Sequence, residues 1–326
     1  MVPSPHPAVA AIVVSFRERA AVARCVESLL ASSYSELRVI VVDNASGDGT
    51  AAEIARRFPG CRVIANERNL GFGGGCNAGI DAAVADGADL LLLLNQDTVV
   101  DCELVERLVA CMKDHPRAGV VGAKTLSTTR MPDGSPRRLY AGAWRGVLPL
   151  VQHIPGIEQK DSAMPDQPVR TDYVWGHGMM VRASAIAAVG AFDPAFFMYC
   201  EDLDLCRRMD TAGYEMWCEP RALMWHDILD GARAEHSESW RWVCKVRSNR
   251  LFHRKHFGLA ASGILNLLTV LVEAKRLLQS RRYAGARDLL KAYVASLFGY
   301  PRGDLATHFQ PERSQPVIRS SSSVDS

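Results

Sequence analysis

Hydrophobic and polar positions along this chain fall into short alternating blocks. From Val9 an apolar run, VAAIVVS, is followed by an amphipathic segment from Ala20 to Ala31, then RVIVVDNAS, a second amphipathic segment from Thr50 to Phe58, and the short run RVIA. Short apolar runs bounded by turn formers predict buried strands, and apolar residues spaced three and four apart predict helices. The opening therefore reads β-α-β-α-β. A glycine-rich stretch, GFGGGCNAGI, a helical piece from Asp81 to Ala85, the strand ADLLLLLNQD and a helix from Cys102 to Lys113 continue the alternation. That pattern predicts an α/β fold with a Rossmann-like, mostly parallel sheet flanked by helices.

The regular pattern then loosens. Residues 125–172 scatter Pro, Gly and Asp among basic residues and read as an insertion with edge strands. Strong apolar signals return in AFDPAFFMYCEDLDLCRRMDTAGYEMWCEP and LMWHD, ending near Asp227. Beyond them SWRWVCKVRSNRLFHRKHFG is basic and aromatic, and LAASGILNLLTVLVEAKRLLQ predicts an apolar, then amphipathic, helix. Its uncharged run, Leu259 to Val272, is too short to span a bilayer but can lie in a membrane interface. The expected division is a main domain over 1–258, a helical extension over 259–300 that contacts a membrane surface or a second copy, and a disordered, serine-rich tail over 301–326.

Composition narrows the class. With 326 residues, 48% of them hydrophobic and 23% charged, the chain can bury a full core. A net charge of +2 gives no global basic field, so nucleic acid is not an expected partner. Nine cysteines without a CxxC pair read as thiols of a reducing compartment, which favours the cytoplasm. The N-terminal apolar run lacks a basic flank and reads as a core strand rather than a signal peptide.

Candidate chemistry sits at strand ends. The leucine strand ends in Asn95, Gln96 and Asp97, and ligands of open α/β sheets collect outside the carboxyl ends of strands. Asp97 could instead cap the next helix. Asp43 ends the second strand, where it can accept hydrogen bonds from a nucleobase or ribose, whereas Asp48 and Thr50 fit a helix cap. Gly73, Gly75 and Ala78 satisfy G-x-G-x-x-A, but a dinucleotide fingerprint should follow the first strand, and this one follows the third. Glu201, Asp202 and Asp204 cluster at a predicted helix start, where acids favour the macrodipole; a partly desolvated carboxylate is also what a general base needs.

Together VVSF, VVDNASGDGT, NERNLGFGGGCNAGI, LLLLNQDT, GHGMMVRASAIAAVGAFDPAFFMYCEDLDLCRR and the later His226 resemble the inverting family 2 glycosyltransferases of GT-A fold, in their rhamnosyltransferase-like subgroup. The resemblance runs from about Ala8 to His256. It implies that Asp97 binds a divalent cation, Mg²⁺ or Mn²⁺, bridging the diphosphate of a nucleotide sugar. Asn95 stands where many members have Asp, which leaves one anionic ligand, and His226 matches a late histidine that can complete the shell. It further implies Asp202 as catalytic base with Glu201 as the reserve candidate, and a donor site of Ser15, Asp43, Arg68, Gly73, Gly74, Asn77 and Asn95. The expected partners are a nucleotide sugar, with dTDP-rhamnose as the candidate, and a cell-envelope glycan or polyprenyl-diphosphate-linked acceptor. The expected location is the cytoplasm, peripheral at the inner face of the plasma membrane, with a homo-oligomer contact as the other use of the C-terminal helix. Two competing readings are an NAD-dependent oxidoreductase built on GGGCNA and a non-enzymatic anionic-surface or nucleic-acid module using residues 241–256.

Overall fold

The computed structural model describes residues 6–130, 136–140, 159–160, 166–226, 238–279 and 281–297. One sheet organises them. Its N-terminal half is parallel, in the order β3 (Arg62–Ala65), β2 (Leu37–Asp43), β1 (Val9–Ser15) and β4 (Leu90–Asn95). The sheet then becomes mixed. β10 (Gly178–Arg182) enters antiparallel between β4 and β6 (Ala118–Arg130), and β11 (Glu215–His226) runs parallel to β6 while pairing antiparallel with β5 (Thr98–Val100) and β9 (Val169–Thr171). Two short strands, β7 (Pro136–Tyr140) and β8 (Gln159–Lys160), extend the β6 edge. The insertion expected over 125–172 thus contains edge strands where it is described. The tail expected to be disordered lies outside the described residues.

Side-chain alternation along β1 separates two cores. Val9, Ala11 and Val13 pack with α1 (Arg19–Leu30) and α4 (Leu104–Asp114) on one face. Ala10, Ile12 and Val14 pack with α3 (Gly71–Ala85), α5 (Ala183–Val189) and α6 (Glu201–Thr211) on the other, while α2 (Thr50–Arg57) covers the β2 end with Ile54. Such double coverage is why the five leucines of β4 are all buried. The glycine-rich stretch is not a loop: Gly71 begins α3. A Cβ on Gly75 would lie 2.6 Å from Val14 Cγ1 and one on Gly79 would lie 2.4 Å from Ile12 Cγ2, so these glycines let the helix sit directly on β1.

The C-terminal helices complete the structure. α7 (Glu238–Gln279) breaks at Gly258, whose φ of 80° and ψ of 172° are not helical, and α8 (Tyr283–Leu297) packs back on it. Residues 240–279 are long and apolar enough to cross a membrane by length and composition, more than the uncharged run alone predicts. The second half of α7 buries polar residues beside Val270 and Leu277 and exposes much of its apolar surface. Ser262, Asn266, Thr269 and Glu273 are buried, whereas Leu259, Ile264, Leu267, Leu268, Leu271 and Val272 are exposed.

Candidate active site

The sheet opens at the carboxyl ends of β1 and β4 into a cleft of about 1070 Å³. β4 delivers Asn95 and the turn after it delivers Gln96 and Asp97; the Gln96 amide is tied down by Phe16, accepting from its N–H at 2.6 Å and donating to its carbonyl at 3.1 Å. The register of β5 against β11 sets His226 opposite Thr98. That pairing brings His226 Nε2 to 3.1 Å from Asp97 Oδ1 and 3.1 Å from Asn95 Nδ2. An imidazole nitrogen and a carboxylate oxygen at that separation are close enough to serve as two ligands of one divalent cation. Asp97 and His226 are the residues that could hold such a cation; no cluster of three or more acidic, His or Cys ligands occurs among the described residues.

His177, which sequence reasoning did not single out, supports this pair. Its ring stacks on that of His226 with centroids 4.5 Å apart, and its Nε2 lies 3.0 Å from Thr125 Oγ1. Burial drives the His177 pKa well down, so the ring is neutral against its neighbour. The only sequence signal was a histidine between two glycines in GHGMM.

The second pair lines the same cleft. Glu201 and Asp202 open α6 after Tyr199 and Cys200, which both adopt left-handed φ values of 68° and 64°. Two successive non-glycine residues in that region cost of order 1–3 kcal/mol each, and they persist only where packing holds them. The first half of α7 supplies that packing: Ser248 Oγ donates to the Met198 carbonyl at 2.7 Å, Cys200 Sγ donates to Asn249 Oδ1 at 3.1 Å, and Phe252 packs with Phe196 and Cys200.

The two carboxyls differ in their hydrogen bonds. Asp202 accepts from the Gly176 N–H at 3.0 Å, the Leu203 N–H at 2.8 Å and the Tyr173 hydroxyl. Glu201 Oε2 is buried with no partner. Burial raises both pKa values, but the three donors favour the charged form of Asp202, while desolvation and the Asp202 charge push Glu201 from 4.5 to about 8. Its raised pKa keeps Glu201 protonated at neutral pH, whereas the backbone and Tyr173 donors around Asp202 are placed to favour a charge there. A folded pKa above the unfolded one means that stability is complete below about 4.5 and falls as pH rises toward 8. Glu201→Gln should flatten this: urea midpoints at pH 5.5 and pH 8 should differ less in the variant than in the parent.

The remaining expected donor residues are dispersed. Ser15 lines the cleft with a buried Oγ that has no partner, and Asn95 lines it as well. Asp43 ends β2 and accepts from the Ser46 N–H at 3.1 Å and from the Ser46 hydroxyl. Arg68 is exposed. The close approach expected of the glycines is to protein: a Cβ on Gly73 would meet Phe192 and Glu201, and one on Gly74 would meet Leu70. Asn77 spends its amide on the Phe192 backbone, donating to the carbonyl at 2.8 Å and accepting from the N–H at 3.0 Å. Asp43, Arg68, Gly73, Gly74 and Asn77 do not line the cleft, whereas Asn44, Asn69 and Gly71 do.

The family profile of "Glycosyl transferase family 2" matches residues 10–187, more than half of the chain. An N-acetylglucosaminyl-diphospho-decaprenol L-rhamnosyltransferase of Mycobacterium tuberculosis is 29% identical over 222 residues, covering 62% of this chain and 70% of that protein. The rhamnosyltransferase WbbL of Escherichia coli is 35% identical over 105 residues, covering 29% and 39%. Among solved structures, GalNAc-T7 with UDP, GalNAc and Mn²⁺ superposes with a TM-score of 0.58 at 15% identity, covering 77% of this chain and only 48% of that one. The mannosyltransferase PcManGT of Pyrobaculum calidifontis, with GDP-Man and Mn²⁺, gives 0.54 at 14% identity, covering 91% and 77%. These likenesses identify the fold as GT-A.

Proposed function

Because the chain belongs to glycosyl transferase family 2 and is a rhamnosyltransferase-like glycosyltransferase, we propose that it moves a sugar, with inversion, from a nucleotide sugar to a hydroxyl of a cell-envelope glycan or polyprenyl-diphosphate-linked sugar. One observation carries this reading: the Asp97–His226 pair and the Glu201–Asp202 pair face a single cleft. Asp202, whose charged form its hydrogen-bond donors favour, takes the proton of the acceptor hydroxyl. The freed oxygen forms the new bond to the anomeric carbon as the bond to the nucleotide diphosphate breaks, leaving its electron pair on the diphosphate. Glu201 stays protonated, so no second negative charge repels the incoming oxygen. Asp97 and His226, with Asn95 alongside, would hold a divalent cation, which when bound stabilises the charge on the leaving diphosphate. Bound Mn²⁺ in the two structural neighbours supports such an ion.

The donor proposed is dTDP-rhamnose, because the M. tuberculosis and E. coli relatives are rhamnosyltransferases. A panel of nucleotide sugars screened for hydrolysis with Mn²⁺ or Mg²⁺ tests it, dTDP-rhamnose being expected to react fastest. In calorimetry, Asp97→Ala should remove the tightening of donor binding by Mn²⁺ while leaving the melting temperature near the parent's, since Asp97 lies in a turn at the cleft wall. Persistent Mn²⁺-dependent tightening would refute the metal assignment.

We further propose that the enzyme works at the inner face of the plasma membrane. The outward apolar residues of α7 and its buried polar stripe are the arrangement expected of a helix facing lipid rather than water. The basic cluster contributes less than its sequence implies. Lys245 pairs with Glu273, Lys255 with Asp193 and Asp204, and Arg250 with the Ser296 carbonyl, while Phe252 is buried and Trp242 lines the cleft. Attachment should therefore be mainly apolar. The full chain is expected to float with anionic vesicles at low salt and to be released only partly as salt rises; protein remaining at the bottom of the gradient at low salt would sink the membrane assignment.

A further inference from the structure

The cleft does not end at Glu201 and Asp202. It continues to the C-terminal helices, where Trp242, Lys245, Glu273 and Leu277 complete its wall. Three features there are unexplained by the donor end. Trp242 Nε1–H is buried with no partner, an expensive arrangement for an indole donor unless something else accepts from it. Lys245 bridges to Glu273 across the two halves of α7 at 3.5 Å, well beyond the 2.7–2.9 Å of a tight charged hydrogen bond. The same ammonium lies 5.2 Å from the Trp242 ring centroid, so cation, anion and aromatic surface converge at one point.

We infer that this end of the cleft is the acceptor-sugar subsite, in which a hydroxylated pyranose ring packs on Trp242, receives the Nε1–H on a ring or hydroxyl oxygen, and presents hydroxyls to Glu273 and Lys245. The inference rests on the glycosyl-transfer reading above. A pyranose offers an apolar C–H face for the indole, acceptor oxygens for Nε1–H and Lys245, and hydroxyl donors for the Glu273 carboxylate. In the glycosyl-transfer reading the donor's diphosphate sits at Asp97 and His226, on other elements of the same cleft. The subsite is also continuous with the second half of α7: Glu273 belongs to the buried stripe whose opposite face, including Leu271 and Val272, is exposed. A sugar linked through a diphosphate to a polyprenol would thus seat its ring inside while its lipid lies along the outer face.

The test uses the full chain with Trp242→Phe, which keeps a smaller aromatic face and removes the N–H, and with Glu273→Gln. Transfer is measured against rising N-acetylglucosaminyl diphosphate carrying a short prenyl chain, alongside methyl glycosides, and donor affinity is measured separately by calorimetry without acceptor. Trp242→Phe should raise the acceptor KM about tenfold, the worth of one lost hydrogen bond, with donor affinity changed by less than about twofold. An acceptor KM equal to the parent's in both variants, or donor affinity lost in step with it, would overturn the subsite. If the parent itself hydrolysed and transferred no nucleotide sugar, the failure would be that of the glycosyl-transfer reading, and the subsite would fall with it.

Discussion

Asp202→Asn is expected to lower sugar transfer by about 10²-fold or more while donor affinity with Mn²⁺ stays near the parent's, the signature of a lost, positioned base. The substitution is close to isosteric, yet it removes the charge that the Gly176 and Leu203 N–H groups and the Tyr173 hydroxyl are arranged to stabilise. An Asn side chain can accept only one of the two backbone hydrogen bonds well, so about 1–3 kcal/mol of stability should be lost as well. That loss is separable, because transfer is measured at a temperature where both proteins are folded. Near-normal turnover in Asp202→Asn, with Glu201→Gln inactive, would move the base to Glu201. The electrostatics argue the other way: Glu201 has no partner for Oε2 and a pKa raised to about 8, so at neutral pH it is a proton holder rather than an acceptor.

The other large effect should come from a residue that touches no substrate. Asp204 is fully buried and accepts from Arg208 Nε at 2.9 Å, Lys255 Nζ at 2.9 Å and His256 Nε2 at 2.8 Å. Arg208 in turn holds the carbonyls of Val189, Gly190 and Ala191. One carboxylate therefore ties α7 and the α5–α6 loop to the helix that begins with Glu201 and Asp202. Asp204→Ala is expected to cost about 3 kcal/mol in urea denaturation at pH 7, because the part-buried Arg208 loses its carboxylate, Lys255 keeps only Asp193 and the His256 ring loses its partner. The three donors hold the Asp204 pKa down from 3.8 to about 2. A depressed folded pKa gives stability that is present above about pH 4 and lost as pH falls toward 2, so acid unfolding of the parent should lose this contribution in that window while the variant, lacking it throughout, shows a flatter profile. A variant within 1 kcal/mol of the parent at pH 7 would show that Asp204 is not the anchor.

Much of the fold is written in local pattern. VAAIVVS and RVIA form β1 and β3 with the expected bounds, and the leucine strand is β4, because a strand covered by helices on both faces must be apolar throughout. Site chemistry at strand ends is equally local: Asp97 follows β4 because a parallel sheet gathers its open backbone ends, and its loops, on one side. The glycine-rich stretch was legible as special but not in its use, since sequence cannot distinguish backbone approaching a ligand from a helix pressed on a neighbouring strand. Only the distances from Gly75 to Val14 and from Gly79 to Ile12 decide that.

What the chain alone determined is the order of strands and helices and the residue types at their ends, both consequences of short-range periodicity and turn chemistry. Tertiary structure decided which distant residues meet. Register between β5 and β11 joined Asp97 to His226 across 129 positions of sequence, a pairing that depends on hydrogen-bond alignment and leaves no local trace. The same holds for α7. Its first half reads as a free basic patch, but folding spends Lys245, Arg250 and Lys255 on internal partners, and its second half turns a polar stripe inward while leaving most of its leucines outward. Amphipathicity fixes that a helix has two faces; only the surface it packs against fixes which one is buried.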